Sequence, residues 1–171
     1  MTQPPSQPAP KPSPIRPTDD AARTLAQSLM ETARFAALAT LDSTGCPLVT
    51  RVAFGLCPLG QPISLISSLA LHGQYLRANP ACSLLVGEPG PKGDPLTHPR
   101  LSLVGTARFV DNQSSQHTEL AAHYLRGHPK SKLYIGFADF SFVRFDLRLG
   151  NLNGGFGKAF TLSPDDMAQP G

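Results

Sequence analysis

Apolar and polar residues alternate along much of the chain, and this two-residue period predicts β-strands. Between residues 46 and 57 the alternation places Leu48, Val52 and Phe54 on one face and Arg51 on the other. Side chains of a strand point to opposite faces in turn, so one face is expected to pack on a core. Alternation and short apolar runs together predict six strands, over residues 35–41, 46–57, 62–68, 81–86, 100–110 and 140–149.

Helical spacing of apolar residues replaces the alternation in three places. Residues 18–32 begin with Thr-Asp-Asp and continue with an apolar stripe, which predicts a capped helix. A short helix is predicted between Ser68, as its N-cap, and Pro80, and a third helix over residues 113–126 before Gly127. Strands joined by turns, with helices at the edges, favour a mainly β fold, a small β-barrel with flanking helices, over a doubly wound α/β fold.

Proline and glycine divide the chain into three parts. Residues 1–17 are so rich in proline that we expect a disordered leader forming neither helix nor strand, with a polyproline II docking segment as the alternative. One folded domain is predicted over residues 18–160. The glycines within residues 153–157 predict a flexible stretch, and residues 161–171 are expected to form a flexible tail.

Composition restricts the classes of function. The 171 residues are 40% hydrophobic and 16% charged, which is typical of a soluble globular domain. The net charge of +3 is spread without runs of Lys or Arg, so neither nucleic acid nor a membrane is an expected partner, and no apolar run reaches spanning length. There is no Cys-x-x-Cys pair, no secretory signal, and no histidine pair spaced for a metal. These features predict a cytoplasmic protein without a metal ion.

The changeover from strand to helix at Ser67 and Ser68 is a candidate anion site. The first backbone N–H groups of a helix have no partner within the helix, and hydroxyl groups with a protonated His72 would add donors. These groups could therefore hold a phosphate. An ordinary capped helix after a strand is the alternative interpretation.

Two arginines could complete this site. Arg51 lies in mid-strand among small and apolar neighbours, so it is either at an edge with its head in water or directed into a site that needs a bidentate cation. If the strand that leads to Ser67 is adjacent, Arg51, Ser67, Ser68 and His72 could surround one phosphate. Arg100 begins the long fifth strand at the expected barrel rim, where a solvated arginine is the alternative.

The glycine-rich segment at residues 154–157 fits neither of the common nucleotide-binding loops. No Gly-Lys-Ser/Thr follows it, and no strand–loop–helix unit surrounds it. No combination of spacings assembles a nucleophile with an acid or base, so the catalytic residues remain unassigned.

Six segments occur in a characteristic order: Thr50–Phe54, Leu65–His72, Asn79–Leu85, Pro99–Ala107, His128-Pro129 with Tyr134 and Asp139-Phe140, and Gly154–Ala159. Together they resemble the FMN-binding split barrel of pyridoxamine 5′-phosphate oxidase-like proteins. Within that family the chain is most similar to the branch related to the haem-utilisation protein HugZ, and the likeness extends over about residues 20–160.

The resemblance implies a six-stranded antiparallel split barrel of Greek-key type that binds FMN between the subunits of a homodimer. Arg51 and Ser67 would hold the FMN phosphate with help from His72. The backbone of Val52, Ala53 and Phe54 would lie against the isoalloxazine ring. The resemblance also implies that Arg100 lies near the polar edge of that ring, and that Lys132, Tyr134 and Asp139 reach the site from the partner subunit.

Two departures from the family bear on activity. The chain has no Trp, whereas the true oxidases use a Trp- and Arg-containing C-terminal segment to hold substrate, so oxidation of vitamin B6 is not expected. The chain also stops soon after Ala159, where haem-degrading relatives continue into a further domain. We therefore expect an FMN-dependent oxidoreductase acting on an unidentified small molecule. The alternatives are a haem-binding or haem-handling module, a flavin carrier without turnover, and a structural dimer with an empty site.

Overall fold

Nine strands and four α-helices are present in residues 15–168, the part of the chain that the computed structural model describes. The strands are β1 Ile15–Arg16, β2 Phe35–Leu41, β3 Pro47–Ala53, β4 Gly55–Leu56, β5 Pro62–Ser67, β6 Ala81–Val86, β7 Arg100–Phe109, β8 Phe140–Asn153 and β9 Ala159–Leu162. The helices are α1 Asp20–Thr32, α2 Leu71–Ala78, α3 Ser115–Gly127 and α4 Pro164–Met167, with two short 3-10 helices at Pro95–Thr97 and Pro129–Leu133.

The strands form one mixed sheet in the order β1-β9-β8-β7-β6-β2-β3, with β5 paired to β8 and to β4. All pairs are antiparallel except β1 with β9, which is parallel. The longest pair, β7 with β8, shifts register between Val104 and Gly105. A Cβ on Gly105 would lie 2.2 Å from the Asp146 carbonyl oxygen, so glycine is required where the two backbones approach. The mainly β class with flanking helices is confirmed.

The predicted count of six strands, all antiparallel, is wrong because β1 and β9 were missed and one predicted strand is divided in two. The parallel pair of β1 with β9 joins distant parts of the chain, which local alternation cannot indicate, whereas β9 pairs with β8 across the short glycine-rich loop between them. The predicted strand 46–57 is split at Phe54, because β3 pairs with β2 whereas β4 pairs with β5.

Both predicted chain ends need correction. Ile15 and Arg16 pair with β9, so the expectation of no strand in the leader is wrong there, while residues 1–14 lie outside the described residues. The predicted flexible tail is wrong for residues 161–167, which form the end of β9 and helix α4. Hydrogen bonds from Ser163, which caps α4, and then from Arg23 lower the pKa of Asp166 to about 2.

The helices begin and end where their capping residues allow. Asp19 caps α1 by accepting the Ala22 N–H at 2.8 Å, in agreement with the predicted polar start. Ser114 caps α3, which ends at Gly127. The predicted Ser68 cap of α2 is wrong, because the N-cap is Ala70 and no side chain bonds to the N-terminal amides.

Two apolar clusters lie on the buried faces of the sheet. The larger cluster packs Ala26 and Met30 of α1 against sheet residues that include Leu38 and Leu103 and against Phe54, which lies between β3 and β4. The smaller cluster packs α3 against β5 and β8. On β3, Val52 is buried and Val49 and Arg51 are exposed, so the predicted faces of this strand are confirmed. No helix within residues 15–168 has the length and apolar character needed to cross a membrane.

Candidate functional site

The Arg51 side chain projects from one face of β3, and His72 contacts the other face. The hydroxyl of Thr50, the residue before Arg51, lies 3.2 Å from Nδ1 of His72. Because neighbouring side chains of a strand alternate, Arg51 points away from that contact. Strand β3 pairs with β2, and β5, which ends at Ser67, pairs with β4 and β8. The predicted strand 46–57 is therefore hydrogen-bonded to the Ser67 strand only through β4, and Arg51 lies in the part that pairs with β2. The candidate residues fall into two groups.

The first group surrounds a cavity of about 260 Å³, which we call the arginine cavity. Arg51 and Arg100 both line it, so the structure brings these two predicted residues together. The full lining consists of Phe35, Ala37, Arg51, Leu85, Val86, Gly87, Glu88, Pro89, Pro95, His98 and Arg100. The cavity thus combines an apolar wall from β2 and β6 with two guanidinium groups.

Arg51 retains hydrogen-bonding capacity in this cavity. Its Cζ lies 4.8 Å from the centroid of the Phe35 ring, a cation–π contact that orients the guanidinium. No hydrogen bond or ion pair to its side chain occurs within residues 15–168. By contrast, Arg100 donates from Nη1 to the Leu96 carbonyl oxygen at 2.9 Å. Glu88 is the single carboxylate among the described lining residues, so the cavity carries a net positive charge.

The loop of residues 87–99 forms one side of the arginine cavity and is held by His98. Nδ1 of His98 accepts the Gly90 N–H at 3.2 Å, and Nε2 lies 2.9 Å from the Lys92 carbonyl oxygen, to which it donates. Both ring nitrogens are therefore engaged within the loop. The two ends of this loop lie close together, since a Cβ on Gly87 would lie 2.6 Å from the Pro99 carbonyl oxygen.

The second group is centred on Ser67 and Asp139, and we call it the serine cluster. The Ser67 hydroxyl donates to Asp139 Oδ2 at 2.6 Å and accepts the Leu69 N–H at 3.1 Å. The Ser68 N–H donates to the Asp139 carbonyl oxygen at 2.7 Å. Groups predicted to hold a phosphate are thus bound to an acidic residue of the same chain. Asp139, which the resemblance would bring from the partner subunit, lies beside Ser67 of its own chain.

His72 lies beside the serine cluster as a half-buried group. Its Nδ1 contacts the Thr50 hydroxyl, and burial lowers the pKa of His72 from 6.5. The neutral ring therefore predominates at neutral pH, and the protonated form expected for a phosphate seat is disfavoured. Helix α2 lies tightly against the end of β5 here, since a Cβ on Gly73 would be 2.3 Å from the Ser67 carbonyl oxygen.

The segment predicted to lie against a flavin ring is partly occupied by internal contacts. Val52 and Phe54 are buried, with 7% and 0% of their surface exposed. The Ala53 carbonyl oxygen accepts the Ser64 hydroxyl at 2.6 Å, and the Phe54 N–H donates to the Arg34 carbonyl oxygen at 2.9 Å. A contact between this backbone and a ring stays a prediction.

Residues 23–151, which contain both groups, match the sequence model of the pyridoxamine 5′-phosphate oxidase family. The chain belongs to this family. The resemblance stated from the motifs is confirmed, because the match covers most of the folded domain and the similar structures include haem-binding proteins.

Three relatives show what other members with this fold are known to do. The chain is 36% identical over 118 residues to the non-canonical heme oxygenase HOZ of Arabidopsis thaliana chloroplasts, a match covering 68% of this chain and 34% of that protein. It therefore spans about a third of the length of that relative. A heme binding protein from Mycobacterium smegmatis has a TM-score of 0.78 at 27% identity, covering 90% of this chain and 61% of that one.

The third relative, the heme storage protein HutZ of Vibrio cholerae, shares the fold with a TM-score of 0.67 at 23% identity. That match covers 78% of this chain and 94% of HutZ. At this identity the likeness concerns the fold of the pyridoxamine 5′-phosphate oxidase family and carries no residue roles.

Sequence reasoning missed four residues that shape the two groups: Phe35, Glu88, His98 and Asp139 in its role beside Ser67. The apolar run that contains Phe35 predicted a strand but nothing marked the ring as a partner of Arg51. The breaker-rich composition of residues 87–99 predicted a loop, and the position of that loop over the cavity depends on tertiary structure. The Ser67–Asp139 contact joins residues 72 positions apart, which no local pattern indicates.

Proposed function

We propose that this chain binds FMN in the arginine cavity and functions as a flavin-dependent oxidoreductase. The observation that carries the proposal is the exposed Arg51 guanidinium, which has no internal hydrogen-bond or ionic partner within residues 15–168 and lies over the Phe35 ring. A planar guanidinium binds phosphate oxygens in bidentate fashion, and Arg100 lines the same space. The proposal assigns the phosphate to the arginine cavity and not to the serine cluster.

The lining residues suit a flat aromatic cofactor with one anionic end. Phe35, Ala37 and Leu85 supply an apolar surface beside the guanidinium of Arg51. A flavin needs no ligand to a metal, whereas haem iron needs one, and His98 has both ring nitrogens engaged by the loop. This difference favours FMN over haem at this position.

A homodimer is part of the proposal. The outward face of β3, β2 and β6 carries Val49 and Leu85, which are 63% and 42% exposed. Ala37 pairs with both Arg51 and Leu85, so this apolar face is continuous with the arginine cavity. A second copy packed on this face would shield the apolar side chains and the open side of the cavity from water.

The dimer is tested by placing a charge on this face. Val49→Glu is expected to convert the dimer to a monomer, because a carboxylate would be buried at the contact without a partner. Light scattering after size-exclusion chromatography measures the change. A dimer of unaltered stability in Val49→Glu would contradict this face as the interface.

FMN, when bound, would supply the electron transfer, and the residues of the chain would bind and orient it. Arg51 would hold the phosphate, and Phe35 and Leu85 would exclude water from the ring. The oxidised substrate would be a small molecule that enters from solvent. The free thiols of the three cysteines suit a reducing compartment, so we place this activity in the cytoplasm.

The experiment is a fluorescence titration of the full chain with FMN, with Arg51→Ala and Arg148→Ala as matched variants. Arg148 is exposed on β8 and does not line the cavity, so Arg148→Ala removes the same charge at a distance from it. Arg51→Ala is expected to weaken FMN binding by about tenfold or more, since a charge-assisted contact to phosphate is lost. Equal FMN affinity in Arg51→Ala and the unaltered protein would overturn the assignment.

Haem binding is the second candidate function. It is favoured by the engagement of Ser67 with Asp139 and by the lowered pKa of His72, which together remove two of the groups expected to hold a phosphate. The haem-related functions of the relatives point the same way. Under this alternative, haemin added to the purified chain would show a shifted absorption band. FMN added to the chain would keep the fluorescence of the free cofactor.

A further inference from the structure

We propose a second anion-binding site on the β7–β8 ribbon, where Arg108 and Arg144 hold a small oxyanion, the carboxylate or phosphate group of a metabolite. This site is separate from the arginine cavity, with which it shares no lining residue.

The pairing of the strands brings the two arginines together. Arg108 and Arg144 are direct partners in the antiparallel register, so their side chains lie on the same face of the sheet. Directly opposed side chains have their Cβ atoms about 5 Å apart, and like charges in such a pair are destabilising. A sheet that places two cations in this way therefore favours an anion between them.

The local acid neutralises only one of these cations. Asp146, two residues beyond Arg144 and on the same face, forms an ion pair with Nε of Arg108. Arg144 donates from Nη2 to the neutral Gln61 side chain, and its buried Nε has no hydrogen-bond partner within residues 15–168. Two guanidinium groups and one carboxylate leave a net charge of +1, and no carboxylate of the described residues is bound to Arg144.

Space for a ligand lies next to these groups. A cavity of about 270 Å³ is lined by Arg108, Arg144, Asp146 and Gln116, with Phe109 and Val110 completing it. Gln116, from α3, contributes a neutral residue to the lining. The planar guanidinium fork matches the two oxygens of a carboxylate or phosphate. Asp146 repels additional negative charge, so the site favours a ligand whose bound end carries a single negative charge.

The test follows the arginine side-chain N–H signals in the NMR spectrum of the isotope-labelled full chain. Sodium acetate and sodium phosphate are titrated separately against sodium chloride at equal ionic strength, and Arg144→Lys identifies the Arg144 signal. We expect a saturable shift of that signal with acetate, with phosphate or with both, and the stronger ligand identifies the chemical class. A shift that chloride reproduces would overturn the proposal.

Matched variants separate this site from its surroundings. The Arg108 side chain is 76% exposed, so it can be replaced without disturbing the core. Arg108→Gln is expected to weaken the binding of the anion by about tenfold. Arg126→Gln and Arg51→Ala should leave it unchanged. Unaltered binding in Arg108→Gln would contradict the site, whereas loss only in Arg51→Ala would show that the anion occupies the arginine cavity instead.

Discussion

The arginine cavity and the serine cluster both contain residues that the sequence predicted to hold a phosphate, but they differ in how far those residues are hydrogen-bonded within the chain. Ser67 donates to Asp139, and His72 contacts Thr50, so the serine cluster bonds within the chain. Arg51 is exposed against an apolar wall with no internal hydrogen bond or ion pair in the described part of the chain. A polar group that is already paired gains little from a ligand, whereas an unpaired cation gains a full charge-assisted contact. We therefore propose that the serine cluster maintains the fold and that the arginine cavity binds the ligand.

The largest expected effect concerns the packing of α2 on the serine cluster. Gly73→Ala would place a Cβ 2.3 Å from the Ser67 carbonyl oxygen and 3.2 Å from Cγ2 of Ile66. Because backbone must move to make room, we expect the free energy of unfolding to fall by about 3 kcal/mol. Urea denaturation followed by circular dichroism measures this change.

Gly127→Ala is the matched control for that substitution. Gly127 ends α3 and has no atom within 4 Å of a Cβ position, so alanine there should leave the unfolding free energy within about 1 kcal/mol. Equal stability of the two variants would contradict the close approach of α2 to β5.

A smaller effect is expected at the hydroxyl of Ser67. Ser67→Ala removes the hydrogen bond to Asp139 and should lower the free energy of unfolding by about 1–2 kcal/mol, because the acceptor is a carboxylate. Ser43→Ala, in an exposed turn, should change it by less than about 0.5 kcal/mol. Chemical denaturation of both variants measures the difference, and a Ser67→Ala protein as stable as the control would argue against a structural role.

The smallest expected effect is a pH dependence from His72. Burial lowers the pKa of His72 in the folded chain, so the unfolded chain takes up this proton more readily. The stability contributed by neutral His72 is complete above about pH 6.5 and is lost as the pH falls toward the lowered pKa. Asp166, with a pKa of about 2, titrates in a separate and more acidic range.

His72→Gln should flatten this part of the stability profile, because glutamine can bond to Thr50 without titrating. Denaturation midpoints measured across the weakly acidic range compare the two proteins. Parallel profiles would show that His72 does not carry the dependence.

Local patterns predicted the elements whose residues lie next to one another in the chain. The alternation in β3 predicted that Val52 faces the core and Arg51 faces outward, and the structure agrees. The capping of α1 by Asp19 and the end of α3 at Gly127 could also be predicted, because each depends on a few adjacent residues. By contrast, β1 is two residues long and its pairing with β9 brings together segments more than 140 positions apart.

The candidate site was predictable only in part for the same reason. Residue type marked Arg51 and Arg100, and their common position in the arginine cavity agrees with a shared role. Arg51 and Ser67 belong to different groups because of the way the strands pair: β3 pairs with β2, and β5 pairs with β8. A single turn between two predicted strands suggested that they were partners, and the break at Phe54 sends the chain to a different neighbour.

The most direct test of the account is a side-by-side measurement of FMN dissociation constants for Arg51→Ala and Ser67→Ala. If the FMN phosphate binds in the arginine cavity, Arg51→Ala raises the dissociation constant by about tenfold or more and Ser67→Ala changes it by less than about twofold. The opposite order, with binding lost in Ser67→Ala and kept in Arg51→Ala, would show that the phosphate belongs to the serine cluster and would contradict the account.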